Sequence, residues 1–167
     1  VANYHANAAA KDGSVIAHLQ NGVPFKPLFD PRRIKYTKDS FRWLGSVTNV
    51  TTIGVAANTA AVKSLRDVLY HELAVGASGG TKTYLPESFN ALLGTKFKVV
   101  KGYKSTNEIL LAVDRGEVGG MVGIAIDSFD KSAKSHPNLR VLFQMGLKRD
   151  PALSDVPLIQ ELAKNDE

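Results

Sequence analysis

Hydrophobic and polar positions alternate in two different rhythms along this chain, and the change comes near residue 64. Before it, the pattern is broken. Residues 2–10 are Ala-rich and permit a helix, which Lys11-Asp12-Gly13 ends. Residues 14–19 alternate as a strand, with Val15, Ala17 and Leu19 on one side and Ile16 and His18 on the other. Gln20-Asn21-Gly22 reads as a turn, and residues 24–29 as a short helix broken at Asp30-Pro31. Residues 41–57 read as two strands interrupted at Thr48-Asn49, the first carrying Trp43 and Leu44, the second Ile53 and Val55.

From Ser64 the rhythm becomes regular. Ser64-Leu65-Arg66-Asp67 has the form of a capping box opening a helix to about Glu72. Residues 73–77 follow as an apolar strand, then a Gly/Ser/Thr-rich turn and a helix to Leu93, closed by Gly94. Residues 96–101 form the next strand. Ser105 and Glu108 form a second capping box, whose helix carries Ile109, Ala112 and Val113 on one face. Residues 118–126 are an unbroken apolar run, as expected of a strand covered on both faces. Asp127 or Ser128 caps a helix to Ser135, residues 139–144 form a strand, and a final helix starts at Leu158. Strand and helix alternate from 64 to 145, which predicts an α/β fold: a parallel or mostly parallel sheet with helices on both faces.

Composition changes this picture little. The chain has 167 residues, 44% apolar and 22% charged, enough for one domain or two small lobes. The longest apolar run is too short to span a bilayer, which takes ~20 residues. The absence of Cys excludes disulfides, thiolate metal sites and a Cys nucleophile. A net charge of +5 favours anionic partners without choosing among them. The basic loop Arg32, Arg33, Lys35 and Lys38 around Tyr36 reads as a solvated loop, not a nucleic-acid groove.

The candidate chemistry centres on Gly76-Ala77-Ser78-Gly79-Gly80-Thr81-Lys82-Thr83. A strand-to-helix turn of this kind leaves backbone N–H groups without carbonyl partners at the positive end of a helix dipole, and Lys82 adds a full charge. Three readings stand: a plain turn, a nest for a small anion, or a phosphate loop. The last is one residue away from G-x-x-x-x-G-K-[ST], with Thr81 where Gly is needed and Asp127 imitating the metal-binding acid. Pro86 favours a helix capped at Thr83, which makes it the third helical residue, where no backbone bond is expected. Lys101 to Thr106 and Gly123 to Asp127 are two further strand-to-helix junctions, expected on the same sheet edge, where α/β proteins bind ligands. No catalytic set is visible. His5, His18, His71 and His136 have no metal-ligand spacing, and Ser78 has no neighbouring base.

These residues resemble a known family. Gly76 to Thr81, Gly102-Tyr103-Lys104-Ser105 and Arg115-Gly116-Glu117-Val118 look like the second lobe of the extracytoplasmic solute receptors of tripartite tricarboxylate transporters (Bug/TctC-like). Lys148-Arg149-Asp150-Pro151-Ala152-Leu153-Ser154-Asp155-Val156-Pro157 resembles that family's segment after the lobe, and residues 9–20 its A-x-P-D-G strand. The resemblance implies a periplasmic-binding-protein-like fold of two α/β lobes with crossing hinge strands, the first lobe incomplete. It divides the chain into a partial first lobe and hinge (1–60), a second lobe (61–146) and a return segment (147–167). The implied function is capture of a small carboxylate, a di- or tricarboxylate or an amino acid, for membrane permease subunits, in the periplasm and without catalysis, cofactor, metal or nucleic acid. The implied ligand residues are Ser78, Gly79, Gly80 and Thr81, then Tyr103, Lys104 and Ser105 (where the family has Gly), with Asn21, Gly22, Thr48 and Asn49 from the first-lobe turns. The length implies a fragment or a shortened member. The rivals are a phosphate-loop nucleotide hydrolase and a non-binding interaction module that dimerises through the incomplete lobe.

Overall fold

The computed structural model describes residues 1–20, 22–47, 50–133 and 135–163. The chain divides into two compact units, Val1–Thr48 and Asn49–Glu167.

The first unit is small and built around polar clasps. Helix α1 (Ala2–Asn7) places Asn3 and Asn7 one turn apart. Both side chains reach the basic loop: Asn3 donates to Arg33 O at 3.0 Å and accepts from Lys35 N at 3.0 Å, and Asn7 donates to Lys35 O at 2.7 Å. A 3-10 turn, Val23–Phe25, runs into the short helix α2 (Lys26–Phe29). Tyr36 is buried and its hydroxyl donates to Val23 O at 3.1 Å. Its ring meets Phe41 edge-on, and Phe41 meets Trp43, whose indole N–H donates to Lys38 O. The basic loop is thus wrapped on an aromatic hub.

Two expected strands do not form. Residues 14–19 and 41–47 enter no ladder among the described residues. Ile16 is 77% exposed and Leu44 82%. Alternation supplies a face, but a strand also needs a neighbour for its N–H and C=O groups, and the described residues offer none.

The second unit is a five-stranded sheet in the order β3-β2-β4-β1-β5. The strands are β1 (Thr52–Ala57), β2 (Leu73–Ala77), β3 (Phe97–Lys101), β4 (Gly120–Ala125) and β5 (Leu139–Met145). β2 runs parallel to β3 and β4, while β1 lies antiparallel between β4 and β5. The sheet is therefore mostly parallel, with one reversed strand, β1, next to the edge strand β5. Five of the six β1 residues are buried, as they must be with helices on both faces.

Those helices are α3 (Thr81–Leu93), α4 (Thr106–Asp114) and α5 (Ile126–Ala133). Leu85, Phe89 and Leu93 of α3 pack on one face with Val75, Val122 and Phe143. Ile109, Leu110 and Val113 of α4, with Phe129 of α5, pack on the other against Ile53, Val55 and Met121. The helix expected from Ser64 is only a 3-10 turn, Arg66–Leu69, although the Asp67 carboxylate does fold back onto the amides of Lys63 and Ser64. The final helix is likewise a short 3-10 turn, Ile159–Leu162.

Gln144 anchors the segment after β5. It is completely buried, donates to Leu153 O and Val156 O at 2.8 and 2.7 Å, and accepts from Asp150 N at 2.6 Å. The Asp150 carboxylate accepts in turn from Thr51 Oγ1 at 2.8 Å, beside the start of β1.

Candidate functional site

All three strand-to-helix junctions singled out in the sequence open on one edge of the sheet. β2, β3 and β4 are parallel, so Ala77, Lys101 and Ala125 end on the same side. The helices that follow differ in how their first turns are satisfied.

At α4 the N-terminus is already occupied. Ser105 Oγ accepts from Glu108 N at 3.2 Å, and the Glu108 carboxylate accepts from Lys104 N at 2.7 Å. The chain thus supplies its own anion there, and the Lys104 amide is spent on it. The capping box was visible in the sequence, but its consequence for Lys104 was missed. A Cβ placed on Gly76 would lie 2.6 Å from Ile109 Cγ2 and 3.2 Å from the Tyr103 ring, so glycine at 76 leaves room first for Ile109 of α4 and then for Tyr103. At α5 the strand runs straight into the helix, Ile126 N is taken by Thr51 O, and Asp127 stands in the first turn.

At α3 nothing of the kind happens. Its first turn holds no acid, and no side chain caps it. Among the described residues no acceptor takes the amides of Ser78, Gly79, Gly80, Thr81 or Lys82. The backbone explains why: Gly79 and Gly80 have φ of +88° and +59°, a left-handed path that turns the strand directly into the helix. With ψ at −136°, Gly80 occupies a conformation open essentially to glycine alone.

This corrects the expected helix start. The helix begins at Thr81 with Gly80 as N-cap, not at a Thr83 cap, so Pro86 is the sixth helical residue and forgoes one backbone bond. Pro86 is buried, and its packing offsets that loss. The earlier start also places Lys82 at the second helical position. The Lys82 side chain is half-buried, and burial lowers the pKa of its ammonium below the ordinary lysine value.

The other expected ligand residues belong to the first-lobe turns. Gly22 is in the first unit, as N-cap of the 3-10 turn, where its carbonyl accepts from Phe25 N and Lys26 N. Asn21, Thr48 and Asn49 lie outside the described residues. Among the described residues no group of three or more His, Asp or Glu could hold a metal ion, and no helix is long and apolar enough to cross a membrane.

A similar fold occurs in solved proteins. One is a TctC solute-binding protein from Polaromonas: TM-score 0.65, 14% identity, 85% of this chain and 49% of that one. The chain has the fold of the TctC-type periplasmic solute-binding proteins. MatC from Rhodopseudomonas palustris, solved with bound malate, matches over 84% of this chain and 48% of its own at 19% identity, with a TM-score of 0.58. Rpa4515 from R. palustris, solved with adipate, matches over 68% and 40% at 24% identity, also with a TM-score of 0.58. The chain therefore spans less than half the length of each of these solute-binding proteins. No family model and no curated protein sequence matches it.

Proposed function

We propose that this chain forms part of an extracytoplasmic receptor for a small carboxylate, with the N-terminus of α3 as the carboxylate seat. The carrying observation is the contrast along one edge. α4 and α5 begin with an acid in the first turn, whereas α3 begins with unspent amides and a lysine. A carboxylate there gains hydrogen bonds from groups that otherwise face water, together with the favourable end of the helix dipole. Ser78, Gly79, Gly80 and Thr81 contribute the donors. Tyr103 packs beside Gly76 of β2, and Ser105 contributes at most the hydroxyl proton its cap leaves over. Asn21, Gly22, Thr48 and Asn49 are assigned to the first-lobe turns.

In this reading residues 1–60 are a partial first lobe and hinge, with β1 the part of it built into the second-lobe sheet. Residues 61–146 are the second lobe, and 147–167 return toward the first. The receptor acts in the periplasm, performs no catalysis, and hands its ligand to membrane permease subunits of a tripartite tricarboxylate-type transporter. That MatC holds malate and Rpa4515 adipate, on the same fold, supports a carboxylate over other anions.

A thermal-shift panel of malate, adipate, citrate, glutamate and ATP with magnesium tests the proposal. A ligand at a hundredfold excess over its Kd adds about 2.7 kcal/mol of stability, a readily measured rise in Tm. A rise with a carboxylate and none with the nucleotide is the expected result. A rise with ATP and magnesium alone favours the nucleotide hydrolase. No rise with any ligand, with concentration-dependent dimers in light scattering, favours the interaction module.

A further inference from the structure

Charge is concentrated in the first unit. It carries seven Lys and Arg against three Asp, which is four of the five net positive charges of the protein. Arg32, Arg33, Lys35, Lys38 and Arg42 are all exposed. Arg33 meets Asp30 at 4.0 Å and Lys38 meets Asp39 at 2.9 Å, and such pairs in water hold little. Among the described residues the side chains of Arg32, Lys35 and Arg42 have neither an ion pair nor a hydrogen bond.

A solvated loop accounts for these charges but not for the apolar side chains beside them. Phe25 and Leu28 are three residues apart, on the same side of the helical segment 23–29, and both are exposed, Leu28 at 78%. Trp43 is 50% exposed, and Leu44 and Val47 more so. Three contacts tie these residues to the basic loop. Arg33 N and Ile34 N donate to Asp30 O at the end of α2, Tyr36 joins the loop to Val23, and the Trp43 indole N–H donates to Lys38 O.

Exposed aliphatic side chains, an indole at the surface and cations without partners together match a lipid interface. The aliphatic groups suit the acyl boundary, the indole the headgroup level, and the cations anionic headgroups. A nucleic acid uses the cations and the indole, but offers no apolar partner to Leu28, Leu44 and Val47. A second copy brings the same positive charge against itself.

We propose that the basic loop and the exposed apolar residues of the first unit form a docking surface for an anionic bilayer. Arg32, Lys35 and Arg42 meet the headgroups, and Phe25, Leu28 and Trp43 reach the acyl boundary. This inference is independent of the carboxylate seat on α3.

The test uses the 167-residue protein with vesicles of phosphatidylglycerol and phosphatidylcholine in equal parts, or of phosphatidylcholine alone. Co-sedimentation gives the partition, and emission from Trp43, the single tryptophan of the chain, reports its surroundings. The expected result is partition onto the anionic vesicles with a blue shift of the emission, at least tenfold weaker partition onto phosphatidylcholine, and release in high salt. The double variant Arg32→Glu, Lys35→Glu loses at least tenfold and Leu28→Gln at least threefold, each with an unchanged Tm. The control Lys131→Glu, Lys148→Glu makes the same change in net charge at exposed residues of the second unit and keeps most of the partition. Partition without a Trp43 shift, equal losses in the control and the loop variant, or partition untouched by Leu28→Gln overturns the proposal. Absence of partition onto either vesicle also overturns it. The face then belongs to a nucleic acid if a single-stranded oligonucleotide shifts the emission, or to a second copy if light scattering shows dimers that Leu28→Gln separates.

Discussion

The first-turn amide of α3 can be removed without removing the helix, by Thr81→Pro. Thr81 is the first helical residue, where proline is well tolerated because its φ already matches and the N–H has no helical partner. The preceding residue must avoid the α region, and Gly80, with ψ at −136°, already does. The substitution therefore deletes one donor and little else, and fold stability should change by less than about 1 kcal/mol. A hydrogen bond to a charged group contributes about 1.5–3 kcal/mol, so carboxylate affinity should fall roughly 10- to 150-fold at 1.4 kcal/mol per decade. Thr81→Ala keeps the amide and should retain affinity within a few-fold. Calorimetric titration with malate or adipate reads the loss, and melting by circular dichroism reads the fold. Wild-type affinity in Thr81→Pro, with the fold intact, would refute the placement of the seat at this turn.

Other perturbations probe the frame around it. Gly80→Ala forces a side chain into a conformation nearly reserved for glycine, and should cost about 1–3 kcal/mol in urea unfolding. Gln144→Leu removes three hydrogen bonds inside the fold and strands the Asp150 amide and the Val156 carbonyl, while the Leu153 carbonyl keeps its bond from Val156 N. A loss of about 2–4 kcal/mol is expected, with faster proteolysis in residues 146–158. Acid should weaken the fold through four carboxyls held below their ordinary values: Asp12 by the Ser14 hydroxyl and then its amide, Asp67 by the amides of Lys63 and Ser64, Asp150 by the amide of Ala152 and then the Thr51 hydroxyl, and Glu161 by the amide of Leu158 and then Arg149. Each folded-state pKa is lowered, so its contribution is complete above the unfolded values near pH 4 and is lost as pH falls through the folded ones. Asp67→Asn should therefore flatten the acid limb of stability against pH, and an unchanged limb would count against this account.

The alternation of strand and helix after residue 64 was readable because it is local. Apolar spacing of two or about 3.6 residues needs no knowledge of the rest of the chain. The order of β2, α3, β3, α4, β4, α5 and β5 followed from it, and so did the Gly-rich turn and the Ser105 cap. The absence of an acid at the start of α3 was equally open to reading, once the three junctions were compared.

Tertiary structure decided the rest, because it depends on partners distant in sequence. The alternating residues 14–19 and the run at 41–47 looked like strands, yet remain outside any ladder among the described residues, since a face without a neighbour makes no sheet. Residues 52–57 carried a similar pattern and became β1, reversed between β4 and β5, because both offered free edges. The helix start at Thr81 was set by the φ values of Gly79 and Gly80, which composition permits but does not require. Which amides remain open at the sheet edge depended on whether Glu108 folds back onto Lys104. Local spacing determined which elements exist, whereas partner availability and burial determined which of their polar groups remain free to hold a ligand.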